Sequence, residues 1–131
     1  MYIKQFNQWN EVKKAVDIHD SQTSIRAGEI RWVSFGVNVG SEIDGKGSSF
    51  TRPAVILHVI GSHLALVAPM STKVKDVAGY IPFSWNYTMN ALCIHQIRTI
   101  SQKRILSRKG KISDSRLKYI KSQISSFFHI S

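Results

Sequence analysis

At 131 residues the chain is long enough to bury one core and too short for two domains of ordinary size. Its 43% hydrophobic and 20% charged residues exclude a disordered chain, and its single cysteine excludes an intrachain disulfide. Eighteen Lys and Arg against eight Asp and Glu give a formal charge of +10, a field that draws in polyanions, nucleic acid above all.

In chain order, Phe6, Trp9, Val12 and Val16 recur at helical spacing and predict an amphipathic helix over residues 5–17. Residues 20–24 are polar and read as a linker, so 1–25 are expected as a helical extension and 26–131 as the main domain. From Gly28 the period changes to two. Residues 29–35 read as a strand with Ile30 and Trp32 on one face and Arg31 and Val33 on the other. A loop holding Gly36, Gly40, Gly45 and Gly47 leads to a second strand that opens on Arg52-Pro53. The apolar runs 54–60 and 64–69 flank Gly61-Ser62-His63 and form a hairpin by pattern. Residues 80–83 read as a short strand, placed at an edge by Pro82, and 91–100 as another. Ser113 then caps a terminal helix whose apolar stripe is Leu117, Ile120, Ile124 and Phe127, with Lys118 and Lys121 off the stripe. The sum predicts a mainly β fold with helices (β+α), a small antiparallel barrel carrying a C-terminal helix and an extra N-terminal one.

The runs at 54–60 and 64–70 are too short to cross a bilayer, and no secretory signal is recognisable, so a cytoplasmic protein is expected. From Arg98 onward nine basic residues face only Asp114, an uneven distribution of the kind that nucleic-acid binders use. The five histidines lack metal-ligand spacing and no cofactor fingerprint is present, so neither metal nor cofactor is expected. Cys93 lies in an apolar run and reads as buried rather than reactive.

RNA cleavage by the ribose 2′-hydroxyl is chemistry this inventory supports, because the substrate brings its own nucleophile. It needs charge stabilisation at the phosphate and proton transfer on either side. Arg52 suits the first task, the imidazole of His95 can both take and give a proton for the second, and Ser71 and Thr72 can donate to the phosphate. Each residue has a plainer alternative: Arg52 in an ion pair with Glu42, Ser71-Thr72 as a turn, His95 as a structural residue. Spacing alone leaves both sets open.

An ordered series of motifs resembles the MazF/PemK family of toxin endoribonucleases. It comprises Gly28-Glu29-Ile30-Arg31-Trp32-Val33, Val39-Gly40-Ser41-Glu42, Thr51-Arg52-Pro53-Ala54-Val55-Ile56-Leu57, Ala68-Pro69-Met70-Ser71-Thr72, Gln96-Ile97-Arg98-Thr99-Ile100 and Ile112-Ser113-Asp114. The resemblance implies an SH3-like barrel, a homodimer, metal-independent cleavage of single-stranded RNA, and an acidic cognate antitoxin. It also implies Arg52 as the phosphate-stabilising residue and Ser71 as the catalytic hydroxyl. Ser41 and Glu42 would border the RNA path, with Thr72 and Lys73 just beyond the hydroxyl. Two departures stand out: His95 occupies a position where many members carry an acid, and residues 44–49 look like a loop insertion before Arg52. The alternative on the same fold is a toxin that does not cut, gripping RNA or, as gyrase poisons do, a protein.

Overall fold

The computed structural model describes residues 2–19 and 24–130, so the expected linker at 20–24 lies, but for Ser24, outside the described residues. Helix α1 (Phe6–Ile18) precedes seven strands: β1 (Glu29–Ser34), β2 (Thr51–Ile60), β3 (Leu64–Ser71), β4 (Tyr80–Trp85), β5 (Thr88–Cys93), β6 (Arg98–Ser101) and β7 (Ile105–Lys111). Helix α2 (Asp114–Phe128) closes the chain.

All strand pairs are antiparallel, in the order β4-β5-β3-β2-β1-β7. Strand β3 pairs with β2 along one edge. Its other edge is divided: residues Leu64 to Val67 pair with β6, and Met70 and Ser71 pair with β5. The sheet is rolled rather than closed, since β4 and β7 form its two ends. Trp85 of β4 nevertheless packs on Gly110 of β7, where a Cβ would lie 2.4 Å from the indole. Only glycine lets the two ends approach so closely. Pro82 falls on the edge strand β4, as expected, where its missing N–H costs no interior ladder bond.

Rolling the sheet buries both faces of its centre. In β2, Val55 and Leu57 enter a cluster with Ile30, Ala68, Met70 and Leu92, while Ala54 and Ile56 enter another with Val33, Phe35, Val67 and Ile105. That explains why residues 54–57 are apolar without alternation. Helix α2 covers the first cluster through Ile120, with Leu117, Ile124 and Phe127 half-buried beside it. The helix starts where the Ser113 hydroxyl accepts the Arg116 N–H at 3.2 Å, a cap worth about 1 kcal/mol.

One expectation changes, and two further features carry no clear sequence signal. The single strand over 91–100 is two strands, β5 and β6, with a 3-10 turn at Ile94–Gln96 between them. The divided edge of β3 is the physical reason, because the chain must step sideways to leave one partner segment and take up the next. Strand β7, mostly exposed and charged, carries no alternation to announce it and is held by its ladder to β1. In α1 only Trp9 is buried: Val12 and Val16 are half-buried and Phe6 is exposed. No helix among the described residues is long and apolar enough to span a membrane.

Candidate active site

The loop from Gly36 to Phe50 and the adjoining starts of β2 and ends of β3 create the site. Asp44 anchors the loop: its Oδ1 accepts the Asn38 N–H at 2.7 Å. Behind it, Lys46 and Thr51 exchange both backbone bonds, at 2.8 and 3.0 Å. Gly45 sits so tightly against this return that a Cβ would fall 1.7 Å from the Phe50 carbonyl oxygen. The segment 44–49 is therefore a folded turn rather than a slack excursion.

Arg52 is held between loop and sheet. Its Nε donates to the Asp44 carbonyl at 2.8 Å, and Nη1 donates to the Met70 carbonyl at 3.2 Å. A guanidinium carries about five N–H donors, so most of the fork remains for a ligand. Burial pulls the Arg52 pKa below its ordinary value, partly opposed by the thiol of Cys93 and the carboxylate of Asp44. The group still stays charged at any physiological pH. The ion pair with Glu42 is not formed, since the Glu42 carboxylate accepts the Val39 N–H at 3.0 Å instead.

Ser71, at the end of β3, is 8% exposed. Its Oγ accepts the Lys73 N–H at 3.1 Å, which fixes the oxygen and leaves the hydroxyl proton free to donate. Because Arg52 bonds the carbonyl of the residue before Ser71, guanidinium and hydroxyl open into one cleft of about 450 Å³. Thr72, Lys46, Trp32, Trp85 and Lys109 also line it. The Lys109 ammonium lies 4.8 Å from the Trp32 ring centroid and 5.2 Å from that of Trp85, a cation held by two indoles. The sequence reading missed Lys46, Lys109 and Trp85 as site residues. Lys109 was visible only as part of the basic C-terminal run, and nothing local tied it to Trp32.

The other residues singled out from sequence go elsewhere. Lys73 lines a second cleft, which it shares with Arg52. Glu42 and His95 line a third depression, outside the Arg52–Ser71 cleft. Ser41 joins that region through its carbonyl, which accepts the Gln96 side-chain N–H at 3.0 Å. His95 Nδ1 lies 3.0 Å from the Gly79 carbonyl, a contact that places a proton on Nδ1. The ring stacks at a tilt on Tyr80, centroids 4.8 Å apart, over Gly79, whose missing side chain gives it room. Cys93 is buried, and burial pushes its thiol pKa up. Among the described residues no three His, Cys, Asp or Glu side chains gather as a metal site requires.

A family model described as the PemK-like, MazF-like toxin of type II toxin–antitoxin systems matches residues 26–128. No curated protein matches the chain. Among solved structures, MazF (Form-I) from Deinococcus radiodurans is similar with a TM-score of 0.67 and 16% identity, over 82% of this chain and 99% of that one. The Mycobacterium tuberculosis toxin MazF-mt6 gives 0.58 at 17% identity, over 79% and 98%. An endoribonuclease in complex with its cognate antitoxin from a mycobacterial species gives 0.58 at 9% identity, over 82% and 98%. At these identities the likeness establishes the fold.

Proposed function

The chain belongs to the PemK-like, MazF-like toxins of type II toxin–antitoxin systems, and from that premise we propose that it is an endoribonuclease cutting single-stranded RNA. The observation that carries the reading is the pairing of Arg52 and Ser71 at one cleft mouth, with Met70 linking them.

In this mechanism a phosphodiester enters the cleft and its non-bridging oxygens take the free edge of Arg52 and the Ser71 hydroxyl. The neighbouring 2′-oxygen attacks phosphorus, and the bond to the 5′-oxygen breaks. The products are a 2′,3′-cyclic phosphate and a 5′-hydroxyl. Charge grows on the equatorial oxygens in the pentavalent state, and prearranged donors there lower the barrier most. Lys46 and Lys109 add cationic charge on the cleft wall. The 2′-hydroxyl proton leaves to solvent and the 5′-oxygen takes one from it, because His95 does not line this cleft. His95 serves instead to hold the Gly79 turn and the Gln96 segment that carries the 36–50 loop. Thr72 and Lys73 extend the RNA path from Ser71, and Ser41 and Glu42 rim it on the far side of the loop.

The same reading includes a homodimer in the cytoplasm and an acidic antitoxin whose charge complements the +10 of this chain and covers the cleft. The mycobacterial relative in complex with its cognate antitoxin supports that partner class. The position of His95 favours one second reading, a toxin on this fold that grips RNA or a protein without cutting. Incubation with long single-stranded RNA in EDTA separates the two. Discrete fragments ending in 2′,3′-cyclic phosphate support the nuclease. RNA that stays intact while bound refutes it and leaves the second reading.

A further inference from the structure

Residues 2–5 lie before the span that matches the family, yet they join the site. The Tyr2 hydroxyl donates to Asp44 Oδ2 at 2.9 Å. Lys4 Nζ donates to the carbonyls of Asn38 and Gly40 at 2.5 and 2.9 Å and pairs with the Asp44 carboxylate at 3.7 Å. Asp44 is also the residue whose carbonyl holds Arg52. Arm, loop and guanidinium are thus one hydrogen-bonded unit.

That unit forms the wall of the second cleft, of about 840 Å³, lined by Tyr2, Ile3, Lys46, Phe50, Arg52 and Lys73. Arg52 stands on the partition between the two clefts and faces both. We propose that the N-terminal arm builds a second subsite for the RNA strand, in which the Tyr2 ring stacks on the base of a nucleotide adjoining the one at Ser71. This rests on the nuclease reading above and deepens it.

Three features select single-stranded RNA as the occupant. Tyr2 as a residue is 68% exposed while its hydroxyl is tied down, so a large aromatic side chain stands at the solvent with its orientation set. Lys46, Lys73 and Arg52 supply three cations for backbone phosphates. The one carboxylate in the lining, Asp44, is already engaged by Tyr2, Lys4 and the Asn38 N–H. An aromatic face beside a cationic track is the arrangement that holds unpaired nucleotides irrespective of sequence.

The test compares the full-length protein with Tyr2→Ala and Tyr2→Phe. The probe is a fluorescent single-stranded oligonucleotide of randomised sequence carrying 2′-O-methyl groups, which block the attacking hydroxyl and leave binding alone to be read by anisotropy. Stacking predicts at least about fivefold weaker binding for Tyr2→Ala. The same account predicts near wild-type binding for Tyr2→Phe, which keeps the ring. Equal losses in both variants would make Tyr2 a tether only and overturn the subsite, as would unchanged binding in Tyr2→Ala. Cleavage of unmodified RNA by the wild type is scored separately: if it fails while the Tyr2→Ala loss appears, the nuclease reading falls and the arm still binds RNA. A wild type that binds no RNA overturns both.

Discussion

Replacing Trp9 with alanine tests whether the N-terminal helix is an integral part of the domain. Trp9 is 6% exposed and is the one buried side chain of α1. It lies over Gly36, meets Phe50 edge-on with centroids 5.8 Å apart, and takes the Arg104 guanidinium at 5.8 Å from its ring. A buried indole removes about 150–250 Å² from water. At about 25 cal/mol/Å² that gives an upper bound of roughly 4–6 kcal/mol. The remaining contacts of α1 are partial, so the helix undocks instead of leaving a closed cavity, and the cost falls to about 3 kcal/mol, the low end of Trp→Ala losses. Urea unfolding followed by circular dichroism measures it. Gly36→Ala provides a cross-check: at φ 78° its Cβ would sit 2.2 Å from the indole, so it too is destabilising. Part of that penalty vanishes in a Trp9→Ala background, a coupling that a double-mutant cycle reads directly. A Trp9→Ala loss below about 1 kcal/mol would make α1 an appendage rather than part of the domain.

Lys109→Met is expected to weaken binding of single-stranded RNA and to reduce the magnitude of the log–log salt slope by about 0.7, the value for one phosphate contact; an unchanged slope would remove Lys109 from the RNA path. Cys93 is expected to resist iodoacetamide at pH 8 in the folded protein and to react once unfolded, because burial raises its pKa and covers its sulfur. That raised pKa also has a stability consequence. The folded state favours the neutral thiol, so its contribution is complete below the ordinary thiol pKa and is lost as pH rises past it. Unfolding midpoints should therefore fall on going from pH 8 to pH 10 by less in Cys93→Ala than in the wild type.

Much of the fold was legible because its elements carry local signals. Ser113 with the Leu117–Ile120–Ile124 stripe marks α2, Pro82 marks an edge, and Gly61-Ser62-His63 marks the β2–β3 turn. What escaped depends on pairing between distant segments. The break at Ile94–Gln96 follows from two strands sharing one edge of β3, which the apolar run 91–94 cannot express. Strand β7 has too little apolar content to show its period. In the cleft, Arg52 and Ser71 were singled out by ordered motifs, and the register of β2 on β3 brings them to the same end of the sheet. Lys109 and Trp85 reach that cleft only because the rolled sheet brings β4 and β7 together. His95 shows the converse, since proximity in motif order to Gln96 gave no sign that its ring would turn toward Gly79. The arm's role was invisible for a similar reason: Tyr2 and Asp44 are 42 residues apart.

If Arg52 carries the charge of the transition state, Arg52→Ala exposes it. Cleavage of a long single-stranded RNA in EDTA would be timed for this variant and the wild type, with binding of the 2′-O-methyl probe and the urea midpoint recorded alongside. The account predicts a rate at least about 100-fold lower, the cost of losing a principal transition-state donor, in a protein that still folds and still binds RNA. A rate within tenfold of the wild type's would contradict it.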